Sequence, residues 1–473
     1  MLTSTTSTTT STTPADPTTA GDLITAVNSA AKVDTIKLGD NIEVTDRLTL
    51  NNTANVDKTI TIDFGGKSLT RTTEGEYAIG FRDGATYILK NGTINGGIQV
   101  ACNSKLTIDS SFVVNGHISL IGELNDGTQA GANTELNIYG KVYETSAYDG
   151  YDAVNTNGSC NGGAINIYDG AVIESTNNIA VYLPSGSLTV NGGSLSGTTG
   201  IYMRAGSLVM NGGSVSAHGE KKAQVFESGH ATATGDAIVI EYPASGTFWD
   251  MKIDKVEIKA GTVTSDNAEA VAEYVNTKKK ADNDKKAAVT GGIYSDDSAL
   301  DYVADGNVVV KVGEQYGVNG GAFELGDIAA ENGEVIEILA APDGTAIDGV
   351  IPGVKFVNKS GNDVFVNGVK IAAGETYTVP GAEFTYTEAY TAKYFVVDGE
   401  EQEWTKGSAD GLTFKLNSED VIKVLIDGVE VEFTVENGEI VISAEVLEAL
   451  EAGEHEIEFV FVDGSCKTVF TVK

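Results

Sequence analysis

From about residue 35 to about residue 318, apolar and polar residues alternate in short runs, and most runs close at a Gly-containing corner. The clearest copies are Ser187-Leu188-Thr189-Val190-Asn191-Gly192-Gly193-Ser194-Leu195 and Ser207-Leu208-Val209-Met210-Asn211-Gly212-Gly213-Ser214-Val215, offset by 20 residues. Looser copies include Thr59-Ile60-Thr61-Ile62, Tyr87-Ile88-Leu89-Lys90, Lys105-Leu106-Thr107-Ile108, Glu135-Leu136-Asn137-Ile138, Ala164-Ile165-Asn166-Ile167 and Lys255-Val256-Glu257-Ile258. A period of two predicts strands with one face inward. Repetition every 20 to 30 residues predicts a solenoid, because one coil cannot bury its inward face alone and stacked coils can. Asn-Gly pairs suit the corners, since both residues tolerate positive φ. The predicted fold is therefore all-β: a parallel β-helix, followed by small antiparallel β domains.

The flanking segments differ. Residues 1–19 form a Thr/Ser tract ending at Pro14-Ala15-Asp16-Pro17, read as a tail or anchor. Gly21-Asp22-Leu23-Ile24-Thr25-Ala26-Val27 predicts a short amphipathic helix with Asp22 as its N-cap. Residues 20–318 make the solenoid with this helix as its cap, 319–392 a small antiparallel β domain, and 393–473 a β-sandwich in which Trp404 is a core anchor. Three stretches depart from the repeat: 143–163, 217–250 with His218 and His230, and 265–287. The last is read as helical through Ala268-Glu269-Ala270-Val271-Ala272-Glu273-Tyr274. Such insertions map to surface loops, where function tends to sit.

Two strings carry a resemblance. Gly291-Gly292-Ile293-Tyr294-Ser295-Asp296-Asp297, followed by Asp301-Tyr302-Val303-Ala304-Asp305-Gly306, resembles the terminal coil of pectin-lyase-like β-helix proteins found on Firmicutes surfaces and on their phages. The early helix before Asp34-Thr35-Ile36-Lys37-Leu38 is similar to the N-terminal cap of that family. Residues 393–473 resemble the immunoglobulin-like module of clostridial cell-surface enzymes, with His455 at a structural position. The resemblance implies a right-handed coil and a structural or adhesive protein, foremost a phage virion fibre or capsid decoration protein. A secreted bacterial cell-surface adhesin and a polysaccharide-degrading β-helix enzyme are the alternatives. Analogy with phage fibres implies a homotrimer attached through the N-terminal tail to other virion or surface proteins.

Composition narrows the partners. The net charge of −36, from 67 acidic and 31 basic residues, repels nucleic acid and anionic membrane surfaces. Cys102, Cys160 and Cys466 are odd in number and widely spaced, so neither a disulfide framework nor a metal site is expected; small buried thiols fit a chain folded in a reducing cytoplasm. No secretory leader pattern opens the sequence, which fits either prior removal of a signal or release by lysis.

No cofactor, metal or catalytic residue is expected. The lyase and polygalacturonase constellations of the family cannot be assembled: the four arginines are Arg47, Arg71, Arg82 and Arg204, and of the hydrolase strings only Asp296-Asp297 occurs, in a closing turn. The binding candidates are instead Tyr148, Asp149, Tyr151 and Asp152, with Tyr242, Phe248 and Trp249. Aromatic faces stack on sugar C–H surfaces, while carboxylates accept hydroxyl hydrogen bonds, so glycans of host or mucosal surfaces are the expected ligands.

Overall fold

The computed structural model describes residues 16–73, 76–122, 133–147, 150–158, 160, 162–223, 230–242, 252–275, 287–319, 323–324, 334–348, 353–380, 394–400, 402–418, 420–436, 438–461 and 464–473. The chain divides into two compact units, Met1–Glu383 and Phe384–Lys473.

The first unit is built on three long sheets, and each successive coil adds one strand to each of them, as in a parallel β-helix. The first sheet has ten strands, from Val33–Lys37 to Ala287–Val289. The third has nine, from Leu48–Leu50 to Val271–Val275. The second opens with Ile42–Val44 and stays parallel through Gly291–Tyr294. Register keeps like over like. On the first sheet Ile108, Ile138, Ile167, Val190, Met210 and Ile258 stack as one inward column, all fully buried. Ile79, Ile98, Ile118, Val154, Val181, Ile201 and Ile238 form the matching column on the third. Each aliphatic side chain so buried contributes about 1.5–3 kcal/mol.

The corners are close-packed backbone. Gly193 and Gly213 have φ of 79° and 80°, and a Cβ on Gly213 would lie 2.7 Å from the Gly193 carbonyl oxygen, so no other residue fits. The preceding asparagines do other work than expected. Asn191 and Asn211 do not take positive φ; the Asn211 amide donates to Asn191 Oδ1 at 2.9 Å, a side-chain ladder between coils.

Helix α1, Ala20–Ser29, closes the N-terminal end of the core with Leu23 and Val27. Its N-cap is Thr19, not Asp22. The Asp22 amide donates to Thr19 Oγ1, and Thr19 Oγ1 donates to the Asp22 carboxylate at 2.8 Å, a reciprocal cap that makes Asp22 the third helical residue.

The helix expected through Ala268–Tyr274 is absent. Val271–Val275 is instead the last strand of the third sheet, paired in parallel with Ile238–Tyr242. Alanine and glutamate favour helices only weakly, and an open parallel edge over a buried core outweighs that preference. Lys278, Lys279 and Lys280 lie outside the described residues.

The segment 319–392 shares its sheet with the solenoid. Val308–Val312 and Gln315–Asn319 turn the second sheet antiparallel, and Val335–Ala340, Lys355–Asn358 and Thr376–Thr378 extend it. Val335–Ala340 and Lys355–Asn358 pair in parallel, so the segment is mixed rather than antiparallel. Its own core holds Val310, Ile336, Ile338, Phe356 and Val364.

The second unit has a four-stranded and a five-stranded sheet around Phe414, Ile442, Ile457 and Phe470. Trp404 is buried there and its indole N–H donates to the Asp410 carbonyl at 2.7 Å. His455 Nδ1 lies 2.6 Å from the Asp427 carboxylate.

Two outcomes follow. Leu188 is buried and Thr189 half-exposed, so Leu188→Ala should cost about 2–5 kcal/mol and Thr189→Ala far less, by chemical denaturation; equal losses would mean the register is misplaced. In the second unit, burial opposes the charge on His455 but the hydrogen bond to Asp427 prevails, raising its pKa above 6.5. The same bond lowers Asp427 below 3.8. A raised histidine stabilises fully below its unfolded pKa and loses that contribution as pH rises through the folded value; a lowered carboxylate loses its own as pH falls. The pair therefore contributes most between about pH 4 and 6.5. Because Asp427 is half-exposed, the contribution is about 1 kcal/mol or less. Thermal melts of the full chain from pH 5 to 9 should show a decline that His455→Gln removes.

Candidate functional site

The outer face of the third sheet carries a cluster of buried polar groups among the described residues. Its outward positions stack, in register, as Thr49, Gly80, Gln99, Ser119, Asn155, Tyr182 and Tyr202. Outward residues on a solenoid normally meet solvent, yet Gln99, Ser119, Tyr182 and Tyr202 are buried. The cause at the C-terminal side is the excursion from the repeat, whose described residues include 230–237. Ala231 and Ala233 pack with Tyr182, Tyr202 and Val239 into a satellite core outside the barrel. The excursion is tied down by Asp236, which is fully buried and accepts from Lys221 Nζ at 2.6 Å, Thr234 Oγ1 at 2.6 Å and Tyr274 Oη at 2.6 Å.

A groove of about 340 Å³ opens beside this cover, lined by Glu76, Tyr77, Ser119, Asp152, Asn155, Asn157, Tyr182 and His230 among others. Its floor joins two segments distant in sequence. His230 Nε2 lies 2.7 Å from Asp152 Oδ2, and the Ile179 amide donates to Asp152 Oδ1 at 3.3 Å. Asp152 is wholly buried beneath His230, whose side chain keeps 25% exposure. Tyr182 meets the His230 ring edge-on at 5.0 Å. Burial pushes the Tyr182 hydroxyl up to about 12, so it is neutral at pH 7.

A second histidine, His117, is buried and supports the wall at Tyr77. The His117 ring lies tilted over Tyr151 at 4.7 Å and meets Tyr77 edge-on at 5.0 Å. Its Nδ1 is 3.4 Å from Glu144, and its Nε2, which has no hydrogen-bond partner among the described residues, faces Glu76 at 3.9 Å. The ring fits because residue 97 is glycine: a Cβ there would lie 2.8 Å from His117 Cε1.

Behind the groove, Arg204 pairs with Glu241 at 2.9 Å, both almost fully buried. Tyr202 donates to Glu241 at 2.6 Å and Arg204 donates to the Tyr182 hydroxyl at 3.3 Å. Burial opposes the guanidinium charge, but Tyr182 and Glu241 hold its pKa above the ordinary value. This network fixes the tyrosine walls rather than meeting a ligand.

No family model, curated protein or solved structure matches the chain.

Of the sequence candidates, Asp152 lines the groove and Tyr151 supports its wall through His117. Tyr242 stands apart on the last coils, donating to Glu273 at 2.9 Å. Tyr148, Asp149, Phe248 and Trp249 lie outside the described residues. Asp296 and Asp297 are not brought to the groove: Asp296 caps a 3-10 helix at Asp297–Tyr302 and accepts the Ala270 amide at 2.8 Å. Sequence reading singled out neither Glu76, His117 and Tyr182 nor the Asp152–His230 pair. The repeated Tyr182 and Tyr202, 20 residues apart at equivalent positions, were a readable signal. The histidine pairs had none, because their partners come from other coils. Among the described residues no three His, Cys, Asp or Glu gather as a metal site.

The Asp152–His230 tie can be measured. His230→Ala leaves Asp152 buried with a lost partner, whereas Asp152→Asn retains a neutral acceptor for the Ile179 amide. A double-mutant cycle of the two substitutions should show a coupling of about 0.5–3 kcal/mol; additive losses would mean that the pair holds nothing together.

Proposed function

We propose that this protein is a non-enzymatic surface protein that binds glycans along the outer face of its third sheet. The single observation carrying this reading is the groove between Glu76 and His230. Two neutral tyrosines, an amide and a carboxylate converge there: Tyr77, Tyr182, Asn155 and Glu76. Aromatic walls for sugar faces beside a few polar groups for hydroxyls are the composition of a saccharide cleft. The setting we favour is a phage virion fibre or capsid decoration, ahead of a bacterial cell-surface adhesin. Solenoid architecture, acidic charge and the two-sheet second unit support an exposed, soluble display role. In this reading the coil is right-handed, the second unit is an immunoglobulin-like sandwich, the Thr/Ser tract attaches the chain to its particle, and three copies assemble.

The enzyme reading rests on Glu76 and Asp152 lining one groove with His230. Binding without cleavage is favoured over it because Asp152 has no exposed surface and both its oxygens are engaged, one by His230 and one by the Ile179 amide. A glycan array followed by calorimetry on the full chain tests the proposal. Asn155→Ala and Glu76→Gln should each weaken binding about tenfold, equivalent to about 1.4 kcal/mol, with unchanged melting. Reducing-end and unsaturated-product assays should register no turnover. Cleavage abolished by Asp152→Asn would replace this reading with a hydrolase or lyase, and unaltered affinity in both variants would move the site elsewhere.

A further inference from the structure

We propose that Arg47 and Arg82 form an oxyanion subsite over Gly80, next to the groove, that takes the carboxylate or sulfate group of an acidic sugar. The chain has four arginines against 67 acidic residues, yet two of them converge on one spot. A Cβ on Gly80 would lie 3.3 Å from Arg47 Cδ, 3.5 Å from Arg47 Nε and 3.7 Å from Arg82 Cδ. Gly80 occupies an outward ladder position between Thr49 and Gln99, so both arginine side chains reach a place where the sheet carries no side chain. A third arginine stands close by: Arg71 donates to the Tyr77 carbonyl.

The two arms are held differently. Arg47 Nη1 donates to Gln99 Oε1 at 3.0 Å, and its guanidinium lies 5.8 Å from the Tyr77 ring centre. Gln99 is thereby oriented, with its amide nitrogen available as a further donor. Arg82 is half-buried, and its guanidinium makes no hydrogen bond or ion pair with any described residue. Two like charges side by side repel, and partial burial adds to the strain. Burial and the charge of Arg82 both lower the pKa of Arg47, against a smaller opposing pull from Tyr77 and Glu76. A bound anion relieves both penalties, and guanidinium forks match carboxylate or sulfate oxygens in pairs. Elsewhere the strongly acidic surface repels such a group, so the local reversal of sign selects where a charged sugar sits.

The subsite deepens the glycan reading and rests on it only for the polymer, not for the anion. From Gly80 the outward ladder runs through Gln99 and Ser119 to Asn155, three strand spacings or roughly 14 Å. An oligosaccharide in the groove reaches Arg82 with one charged substituent.

The test uses the full chain and three oligosaccharides sharing one backbone: neutral, carboxylated and sulfated. At low salt at least one acidic form should bind ten times more tightly than the neutral parent, and the preference should shrink as salt screens it. Which acidic form gains more identifies the oxyanion. Arg82→Gln and Arg47→Gln should each remove the preference while leaving affinity for the neutral form unchanged, and Arg82→Lys should keep part of it. Equal binding of all three forms, or a preference that survives Arg82→Gln, overturns the proposal. An independent readout is arginine modification by phenylglyoxal, mapped by mass spectrometry with and without inorganic sulfate, with the almost fully buried Arg204 as the unreactive control. Protection of Arg82 by sulfate when no oligosaccharide binds supports the anion subsite and places the failure in the glycan groove. Modification of Arg82 at one rate, with or without sulfate and acidic sugar, overturns the subsite.

Discussion

Everything in the first unit depends on the burial of inward columns that no coil can shield by itself. Leu188 or Ile167 alone on a strand faces a void; only the coil before and the coil after close it. Backbone pairing and side-chain stacking are therefore satisfied by the same neighbour, and register is set by both. A slip of one residue would turn Leu188 and Val190 outward and expose their whole column. Such coupling leaves the outer surface free to vary, since outward residues carry little of the stability.

That division explains where the binding chemistry lies. The stretches at 143–163 and 217–242 that depart from the repeat each carry a strand of the third sheet, Val154–Thr156 and Ile238–Tyr242. On the outer side of that sheet Ala231 joins Tyr182 and Tyr202 in a core of their own. The polar groups sealed there are matched: Asp236 by four donors, Arg204 by Glu241, Asp152 by His230. Unmatched, each would cost several kcal/mol on burial.

The inward columns were legible because period-two alternation is a local property, and Leu188 and Val190 declare it, repeated 20 residues on by Leu208 and Met210. Local signals failed where a neighbour decided the outcome. Ala268 to Tyr274 has helical composition, and the waiting edge of Ile238–Tyr242 made it a strand. Asp22 has the character of a cap, and Thr19 took the role because its hydroxyl reaches the third amide while Asp22 answers it. The groove was half legible. Departures from the repeat marked both segments that build it, but nothing in the chain announces that residue 152 will meet residue 230. Contacts between coils obey no fixed sequence separation once an insertion intervenes.

The outward ladder from Thr49 to Tyr202 also fixes a scale. An outward position recurs along it at every coil, about 4.8 Å apart, and the columns that hold the core forbid any adjustment of that interval. A small ligand touching one coil is indifferent to it. A polymer lying across several must match it, and any mismatch grows with each further unit. The face thus works like a vernier, on which the repeat length of the bound chain, as much as its chemistry, decides whether it stays.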